Sequence, residues 1–366
     1  MAAPLLALQQ GYSPAAVGIL LAMFALTQVF LALPAGRFAD RHGLKRPVSF
    51  SVMAACSGAG LAVAFPVFPV LCLSALLTGG ATGAAVIALQ RHVGRAASGA
   101  THLRQVFSWL SIGPAVSNFV GPFSAGLLID HAGPAAGSLW GYRAAFLLLA
   151  LLPLASWYLV QSTHELPPVP TPSRADRPKA WDLLGEPKFR RLMLVNWFLS
   201  SCWDVHTFVV PVLGFERGIS ASVIGSILGA FALAAAAIRL VMPLLAAHLR
   251  EWKVLVVAML TTSLLFGAYP FMPSALAMGL CSILLGFALG TVQPMIMSML
   301  HQITPAARHG EALGLRLMAI NASSVLMPVL FGTAGAVAGV AVVFWATGAV
   351  VGLGSRAAWL LKNQQS

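Results

Sequence analysis

Long apolar stretches alternate with short polar or Gly/Pro-rich breaks along the whole chain. Hydrophobic and polar residues do not alternate within the stretches, which run for about 20 residues or more, so each predicts a helix that can cross about 30 Å of hydrocarbon. A transmembrane barrel would instead show alternating segments of about 10 residues. The pattern predicts eleven spans, at 13–38, 47–66, 69–90, 103–129, 142–161, 189–214, 220–247, 253–270, 274–300, 310–334 and 338–361.

The composition also indicates a fold that lies in lipid. Of the 366 residues, 58% are hydrophobic and only 9% are charged, whereas about 25% are charged in a soluble domain. We therefore expect an all-α polytopic membrane protein whose solvent is the lipid bilayer. The four cysteines lie inside apolar runs, without the spacing of metal ligands, so we interpret them as small core residues and predict neither a metal nor a cofactor.

Basic residues are concentrated in alternate breaks. One set of breaks, with the adjoining ends of the spans, holds 19 of the 22 Lys and Arg residues; the other set holds Arg143 and Arg217, and Arg239 falls within a span. The basic side of a membrane protein faces the cytoplasm. The break at 162–188 and the C-terminus are therefore predicted to lie in the cytoplasm. The protein itself is predicted to be a multi-pass protein of the cell inner membrane. The same rule accounts for the net charge of +12, and we predict no binding of nucleic acid.

The two halves of the chain repeat each other. A Pro-rich polar segment, HELPPVPTPSRADRPKAWDLLGEP, splits the chain near its middle. Residues 11–26 align with 218–233 at a constant offset of 207, and both copies run from outside to inside, which predicts a parallel repeat of the kind found in transporters. The predicted domains are an N-terminal bundle at 1–161, a cytoplasmic linker at 162–188 and a C-terminal bundle at 189–366.

One span lacks a full counterpart in the first half. The offset of 207 places the partner of 189–214 at about −18 to 7, so that only its last turn falls in the sequence, with Pro4 at the position of Pro211. We therefore expect the sequence to start inside its first transmembrane helix because of a misplaced start codon. The alternative is a genuine eleven-helix variant.

The stretch GRFADRHGLKR, residues 36–46, concentrates charge at a predicted cytoplasmic turn. Together with the two halves and their linker, it resembles the major facilitator superfamily, whose loop between helices 2 and 3 has the pattern G-x-x-x-D-R-x-G-[RK]-[RK]. The matching residues are Gly36, Asp40, Arg41 and Gly43, followed by Lys45 and Arg46 with the basic end displaced by one residue. The resemblance implies two six-helix bundles that alternate in access, with this loop as a cytoplasmic latch.

The loop at 36–46 has an alternative interpretation, and its counterpart in the second half differs from it. The alternative is a basic loop that only sets topology, although Lys and Arg alone would do that without Asp40. In the second half the matching segment is LLAAHLREWK, where Ala247 stands in place of Asp40 and Arg250 in place of Gly43. The latch is therefore predicted to be degenerate in that half.

A second segment, GPAVSNFVGPFSAG at 113–126, resembles the glycine–proline run in helix 5 of drug–proton antiporters. Small residues four apart allow tight helix packing, and a proline bends the helix; the alternative is generic small-residue packing. The residues of this motif are Gly113, Ser117, Gly121, Pro122 and Gly126. In the helix-4 segment, Ala75 stands where the family carries an arginine linked to proton coupling, which departs from the family's usual proton route.

Polar residues inside the spans are the candidates for a substrate and proton cavity, because a charge in a span costs about 2.5–3.5 kcal/mol on insertion scales. Asn196, Ser200 and Asp204 share one helix face, with Trp203 beside them. A carboxylate among aromatic rings suits a cationic, lipophilic substrate and can also carry the exchanged proton; the alternative is an aspartate paired for structure. Further candidates are Asn118, Arg239, Gln293, Arg316 and Asn321.

The function that follows is transport. The sequence shows no Walker loop, metal cluster or nucleophile–base pair with motif spacing, so we predict that the protein is not an enzyme. We expect a monomeric secondary transporter that exports small lipophilic or cationic compounds as a proton antiporter. One alternative is uptake or exchange of a small metabolite, including an anionic one. An alternative of another class is a transport-inactive membrane sensor or scaffold.

Overall fold

The computed structural model describes residues 2–12, 14–134, 138–167, 179–219, 221–245 and 249–362, and over these residues the protein is all-helical, with turns and short loops joining the helices. Short 3₁₀ turns precede α7, follow α9 and precede α12. The α-helices in this part of the chain are α1 (Ala2–Gln9), α2 (Pro14–His42), α3 (Lys45–Ala64), α4 (Phe68–Ala96), α5 (Gly99–His131), α6 (Leu139–Ser162), α7 (Pro187–Glu216), α8 (Ala221–Leu245), α9 (Glu251–Ala268), α10 (Ala275–Gly290), α11 (Val292–Ile303), α12 (His309–Ala338) and α13 (Val340–Trp359).

Eight helical segments of the described residues are long and apolar enough to cross a membrane. They lie in α2, α3, α4, α6, α8, α9 and α13, and in the pair α10–α11 taken together. The remaining three predicted spans coincide with α5, α7 and α12, which have 33, 30 and 30 residues. The protein is thus a multi-pass membrane protein, and the count of eleven spans stays a prediction.

The span predicted at 274–300 is interrupted. Helix α10 ends at Gly290 and α11 begins at Val292, with Thr291 in a turn between them. Pro294 explains the position of the break, because proline has no backbone N–H and cannot donate to the carbonyl of Gly290 four residues earlier. The sequence pattern missed this interruption because the apolar run continues through it.

The turn between α1 and α2 recurs between α7 and α8. Gly11 and Gly218, which are 207 residues apart, have φ values of +83° and +69°, a left-handed conformation that glycine adopts without steric cost. In each turn the amide that follows the glycine donates to the carbonyl four residues before the glycine, at 3.0 Å and 2.9 Å. The repeat read from the sequence therefore extends to individual backbone hydrogen bonds in this turn.

A close approach of two helices also recurs at the same offset. A Cβ added at Gly79 of α4 would overlap the carbonyl oxygen of Phe24 in α2, and one added at Gly286 of α10 would overlap that of Phe231 in α8. Both glycines and both phenylalanines are related by 207 positions. Helices that approach this closely need a residue without a side chain at the contact.

The described chain forms two compact units, and each takes one segment from the other half of the sequence. The N-terminal part of α5 belongs to the second unit, and the start of α12 belongs to the first. These units cross the predicted division into 1–161 and 189–366, because both segments make polar contacts with the opposite half of the sequence. The first unit contains Met1–Ala96, Val116–Ala180 and Ala306–Ala322; the second contains Ala97–Ala115, Trp181–Pro305 and Ser323–Ser366.

Candidate functional site

In the first unit, Asp40 near the end of α2 caps the N-terminus of α12. Its side chain is buried, with the residue 4% exposed. The amide of Gly310 donates to Oδ1 at 2.8 Å and that of Glu311 donates to Oδ2 at 3.1 Å. The first amides of a helix have no partner within the helix and carry a partial positive charge, so a carboxylate there satisfies two donors at once.

Arg91 of α4 holds the same carboxylate from the other side. Its Nε donates to Asp40 Oδ1 at 2.7 Å, and its Nη2 donates to the backbone carbonyl of Asp40 at 3.2 Å. Arg91 is only 2% exposed, so this ion pair is fully buried. The sequence placed Arg91 beyond the end of its span, but α4 continues to Ala96 and carries the arginine into the core of the unit.

A second carboxylate lies next to this cap and faces two arginines. The carboxylate of Glu311 accepts from Arg37 Nε at 2.9 Å and from Arg308 Nε at 2.8 Å. The other basic residues of the motif, Arg41 and Arg46, are exposed. The motif therefore divides into a buried carboxylate that binds a helix end and exposed cations beside it. We name the set Asp40, Arg91, Gly310, Glu311 and Arg37 the α12 cap.

The glycines of the motif have separate structural reasons. A Cβ at Gly36 would overlap the carbonyl oxygen of Gly310, and a Cβ at Gly310 would overlap that of Gly36, so both helices need glycine where they cross. Gly43 has a φ of +77° in the turn between α2 and α3. There the carboxylate of Glu165 accepts the amides of Leu44 and Lys45 at 2.8 Å and 3.2 Å.

Gly36→Ala should destabilise the protein by about 1–3 kcal/mol, the usual cost of overpacking, because the new methyl group overlaps backbone that no rotamer change can move. Thermal unfolding of the purified protein in detergent measures the loss. The matched control is Gly60→Ala on α3, where a Cβ meets no atom within 4 Å and a helical alanine gains about 0.5–1 kcal/mol. Equal stabilities of the two variants would contradict the close approach of α2 to α12 at Gly36.

The second unit contains a polar cluster around Glu251, the first residue of α9. Glu251 is fully buried, and its Oε1 accepts from Arg104 of α5 at 2.9 Å, from Ser298 at 2.9 Å and from Gln302 at 2.7 Å. We name these four residues the Glu251 cluster. Ser298 is the counterpart of Arg91 at the offset of 207.

The sequence comparison missed the Glu251 cluster because it tested position 247, which lies outside the described residues. The missed signal was an acidic residue four positions later in LLAAHLREWK. The second half therefore does hold a buried carboxylate, which is bound by three side chains and by its own backbone amide at the start of α9.

Glu251→Gln should lower stability by about 2 kcal/mol, because glutamine keeps the shape and one acceptor but removes the charge opposite a buried arginine. The measurement is again thermal unfolding in detergent. Glu216→Gln makes the same chemical change at an exposed residue and should have no effect. If both variants unfold at the same temperature as the unaltered protein, the cluster does not stabilise it.

The predicted polar stripe of α7 lies in the second unit. Asn196 is buried, while Ser200 and Asp204 are half-buried. Ser324 of α12 donates to Asp204 Oδ1 at 3.4 Å, and Oδ2 is buried with no hydrogen-bond partner among the described residues. Within the described chain the carboxylate is held by the hydroxyls of Ser324 and Ser323 and pairs with no cation, so protonation or a bound cation would satisfy Oδ2.

Trp203 and Arg239 lie together next to this stripe. The indole packs edge-on against Phe231, with ring centroids 4.6 Å apart, and the Arg239 guanidinium lies 5.9 Å from the indole centroid. Arg239 and Asp204 form no ion pair. Arg239 is 8% exposed, and its hydrogen-bond partners among the described residues are two backbone carbonyls.

The other predicted cavity residues do not all join this group. Gln293 is half-buried in the second unit. Arg316 and Asn321 belong to the first unit, where Arg316 is buried and Asn321 donates to the Leu317 carbonyl of its own helix at 2.9 Å. The side chain of Asn118 lies outside the described residues.

The packing role of the small-residue motif of α5 stays a prediction. A Cβ at Gly113 or Gly121 would meet no atom of the described residues within 4 Å, and Ser117 between them is exposed. Gly126 is half-buried, and the side chain of Pro122 lies outside the described residues.

The second unit also holds a buried polar chain that the sequence did not reveal. His206 Nε2 lies 2.9 Å from Ser282 Oγ, which lies 2.8 Å from the Tyr269 hydroxyl, and all three residues are fully buried. The imidazole stacks on Phe231 at 4.0 Å between centroids. The chain ties α7 to α10 and to the turn after α9. Sequence spacing gave no signal for it, because the three residues come from different helices.

Comparison with known protein families assigns the chain to a family. The Major Facilitator Superfamily profile matches residues 1–213 and 192–365, so the chain belongs to the major facilitator superfamily. Its fold consists of two repeat domains, and the protein is a membrane transporter rather than an enzyme. Among proteins with curated descriptions, none matches the chain in sequence.

Solved transporters share the fold at low sequence identity. The human organic anion transporter MFSD10 (TETRAN) has a TM-score of 0.79 and 18% identity, over 97% of this chain and 88% of that one. The E. coli fucose:proton symporter FucP has 0.78 and 15%, over 97% and 93%. A bacterial homologue of the iron transporter ferroportin, in an outward-facing state, has 0.75 and 15%, over 96% and 91%.

Proposed function

We propose that this transporter exports small lipophilic or cationic compounds in exchange for protons, by alternating access. The observation that carries the proposal is Asp204, whose Oδ2 is buried and has no partner among the described residues. A carboxylate in this position has two ways to become neutral, which are to take up a proton or to bind a cation. Competition between these two states on one group couples the movement of a substrate to that of a proton.

In this proposal the α12 cap and the Glu251 cluster are the contacts that close the cytoplasmic side. Each joins a segment of one half of the sequence to the other half, and each buries a carboxylate whose partners come from both halves. Breaking a buried pair of this kind is costly unless both partners regain water. Opening to the cytoplasm would expose both clusters to water, which offsets that cost.

A second candidate function is transport of an anion. Arg239 supports it, because this buried guanidinium has no carboxylate within ion-pair distance among the described residues. The similarity in fold to a human organic anion transporter is compatible with this candidate. Uptake or exchange of an anionic metabolite would then replace cation export.

Flux in proteoliposomes separates these functions. Vesicles with an inward or outward proton gradient would be loaded with tetraphenylphosphonium, a lipophilic cation, and its movement followed with a selective electrode. The proposal requires flux that is driven by the gradient and stops when a protonophore collapses it. Flux that survives collapse would exclude proton exchange. Flux of neither tetraphenylphosphonium nor benzoate would favour a sensor or scaffold.

The proposed orientation is testable in intact cells. We place the linker and the C-terminus in the cytoplasm of a bacterial cell, in a monomeric inner-membrane protein, because the basic breaks lie on that side. Labelling of single cysteines introduced into the linker, from inside or outside the cell, reports the side directly.

A further inference from the structure

Arg239 of α8 is surrounded by dipoles rather than by a counter-ion. Its Nε donates to the carbonyl of Gly290 at 3.2 Å, and its Nη1 donates to the carbonyl of Ser111 at 3.4 Å. The Trp203 ring lies 5.9 Å from the guanidinium carbon. These contacts come from α10, α5 and α7, so three helices fix the orientation of one buried cation.

The carbonyl of Gly290 is available to Arg239 because of Pro294. In a regular helix the amide four residues later would take this carbonyl, but proline has no N–H. The helix breaks at Thr291 as a result, and the guanidinium supplies the missing donor. Such helix breaks in transporters line binding sites for ions and substrates.

Comparison of the two halves shows that Arg239 and Pro294 occur in the same half and are both absent from the other. At the offset of 207, the counterparts of Arg239 and Pro294 in the first half are Ala32 and Ile87. There α4 runs unbroken through Ile87, and Ala32 is buried in α2. Both the cation and the break are therefore absent from the half in which the helix is regular.

The guanidinium retains binding capacity and a full charge. Two of its five N–H groups are used by the two carbonyls, and its Nη2 has no hydrogen-bond partner among the described residues. Carbonyl oxygens and an indole face stabilise a cation but do not neutralise it. A carboxylate or another oxyanion would both neutralise the charge and accept the free Nη donors side by side.

We propose that Arg239, held by Gly290, Ser111 and Trp203, is the anchoring cation of a binding site for the anionic group of a substrate, a carboxylate or similar oxyanion. The site deepens the second candidate function and rests on it for its physiological meaning. It is independent of the direction of transport and of Asp204.

The test is equilibrium binding to the purified, full-length protein in detergent, with the thermal unfolding temperature as the readout. The probe is benzoate, and benzamide is its neutral control. Benzoate should raise the unfolding temperature progressively with concentration, as a ligand that binds only the folded state does, and benzamide should not. Arg239→Gln should weaken benzoate binding at least about tenfold, while Arg239→Lys should retain part of it because the charge remains.

A double variant guards against misfolding. Pro294→Ala restores the backbone donor to the Gly290 carbonyl, so Arg239→Gln combined with Pro294→Ala should fold normally and still fail to respond to benzoate. Pro294→Ala alone should still respond to benzoate, because the charge of Arg239 remains, although more weakly, because the restored amide competes with Arg239 for the Gly290 carbonyl. A benzoate response in the double variant, or no response in the unaltered protein, would overturn the site. Loss of transport with intact benzoate binding would overturn the transport function instead.

Discussion

Asp204→Asn should abolish proton-driven export of tetraphenylphosphonium. Asparagine keeps the size of the side chain and can still accept the hydroxyl of Ser324, but it can neither release a proton nor pair with a cation. An ionic hydrogen bond is worth about 1.5–3 kcal/mol, so the affinity for the cation should fall about 10- to 100-fold. Flux in proteoliposomes under an imposed proton gradient, with initial rates taken over a range of probe concentrations, measures both effects.

The matched control is Asp182→Asn, the same chemical change at an exposed residue before α7, which should transport normally. Unfolding temperatures of both variants should stay close to that of the unaltered protein, because asparagine at position 204 can still accept from the neighbouring serine hydroxyls. If Asp204→Asn still accumulates the probe against a gradient, then Asp204 is not the coupling residue. If it unfolds at a clearly lower temperature, the aspartate is structural.

Asp40→Asn should leave membrane insertion intact and slow transport. The variant loses the charge that faces Arg91 at 2.7 Å, and the amide group cannot accept two helix amides and a guanidinium as the carboxylate does. Removing one partner of a buried ion pair costs about 3–5 kcal/mol of folding free energy. Because asparagine has nearly the same shape as aspartate, we expect a loss at the lower end of this range. The unfolding temperature should fall, and the first amides of α12 should exchange faster with deuterium in mass spectrometry.

A double-variant cycle identifies the source of the loss. Arg91→Leu removes the cation that Asp40→Asn leaves buried, so the two changes together should cost less than the sum of their separate effects. Asp182→Asn again serves as the control for insertion and expression. Normal flux together with normal exchange at Gly310 and Glu311 would reduce the motif to a signal for topology.

The order of the helices and their repeat could be predicted because apolar length and glycine spacing are local properties of the sequence. The constant offset of 207 extended from a sequence match to the φ values of Gly11 and Gly218. Asp40 was singled out for the same reason, since a carboxylate in a basic loop is unusual for topology alone.

The partners of the charged residues could not be predicted, because they depend on which helix faces lie together. Arg91 was placed outside its helix because the predicted span ended six residues before α4 does. Glu251 was missed because the two halves were compared in a single alignment register, which matched Asp40 to position 247. The break near Gly290 had a local signal in Pro294, but only packing shows that Arg239 completes it.

The equivalent contacts at Gly79 and Gly286 bear on how the two halves diverged. In each half a carbonyl oxygen occupies the place of any added carbon atom, so every other amino acid is excluded for the same steric reason. The charged positions differ between the halves: at the offset of 207, Ser298 is the counterpart of Arg91 and Ala32 is the counterpart of Arg239. The two halves thus share the same backbone contact at this pair of glycines, and they differ at the buried side chains that carry charge.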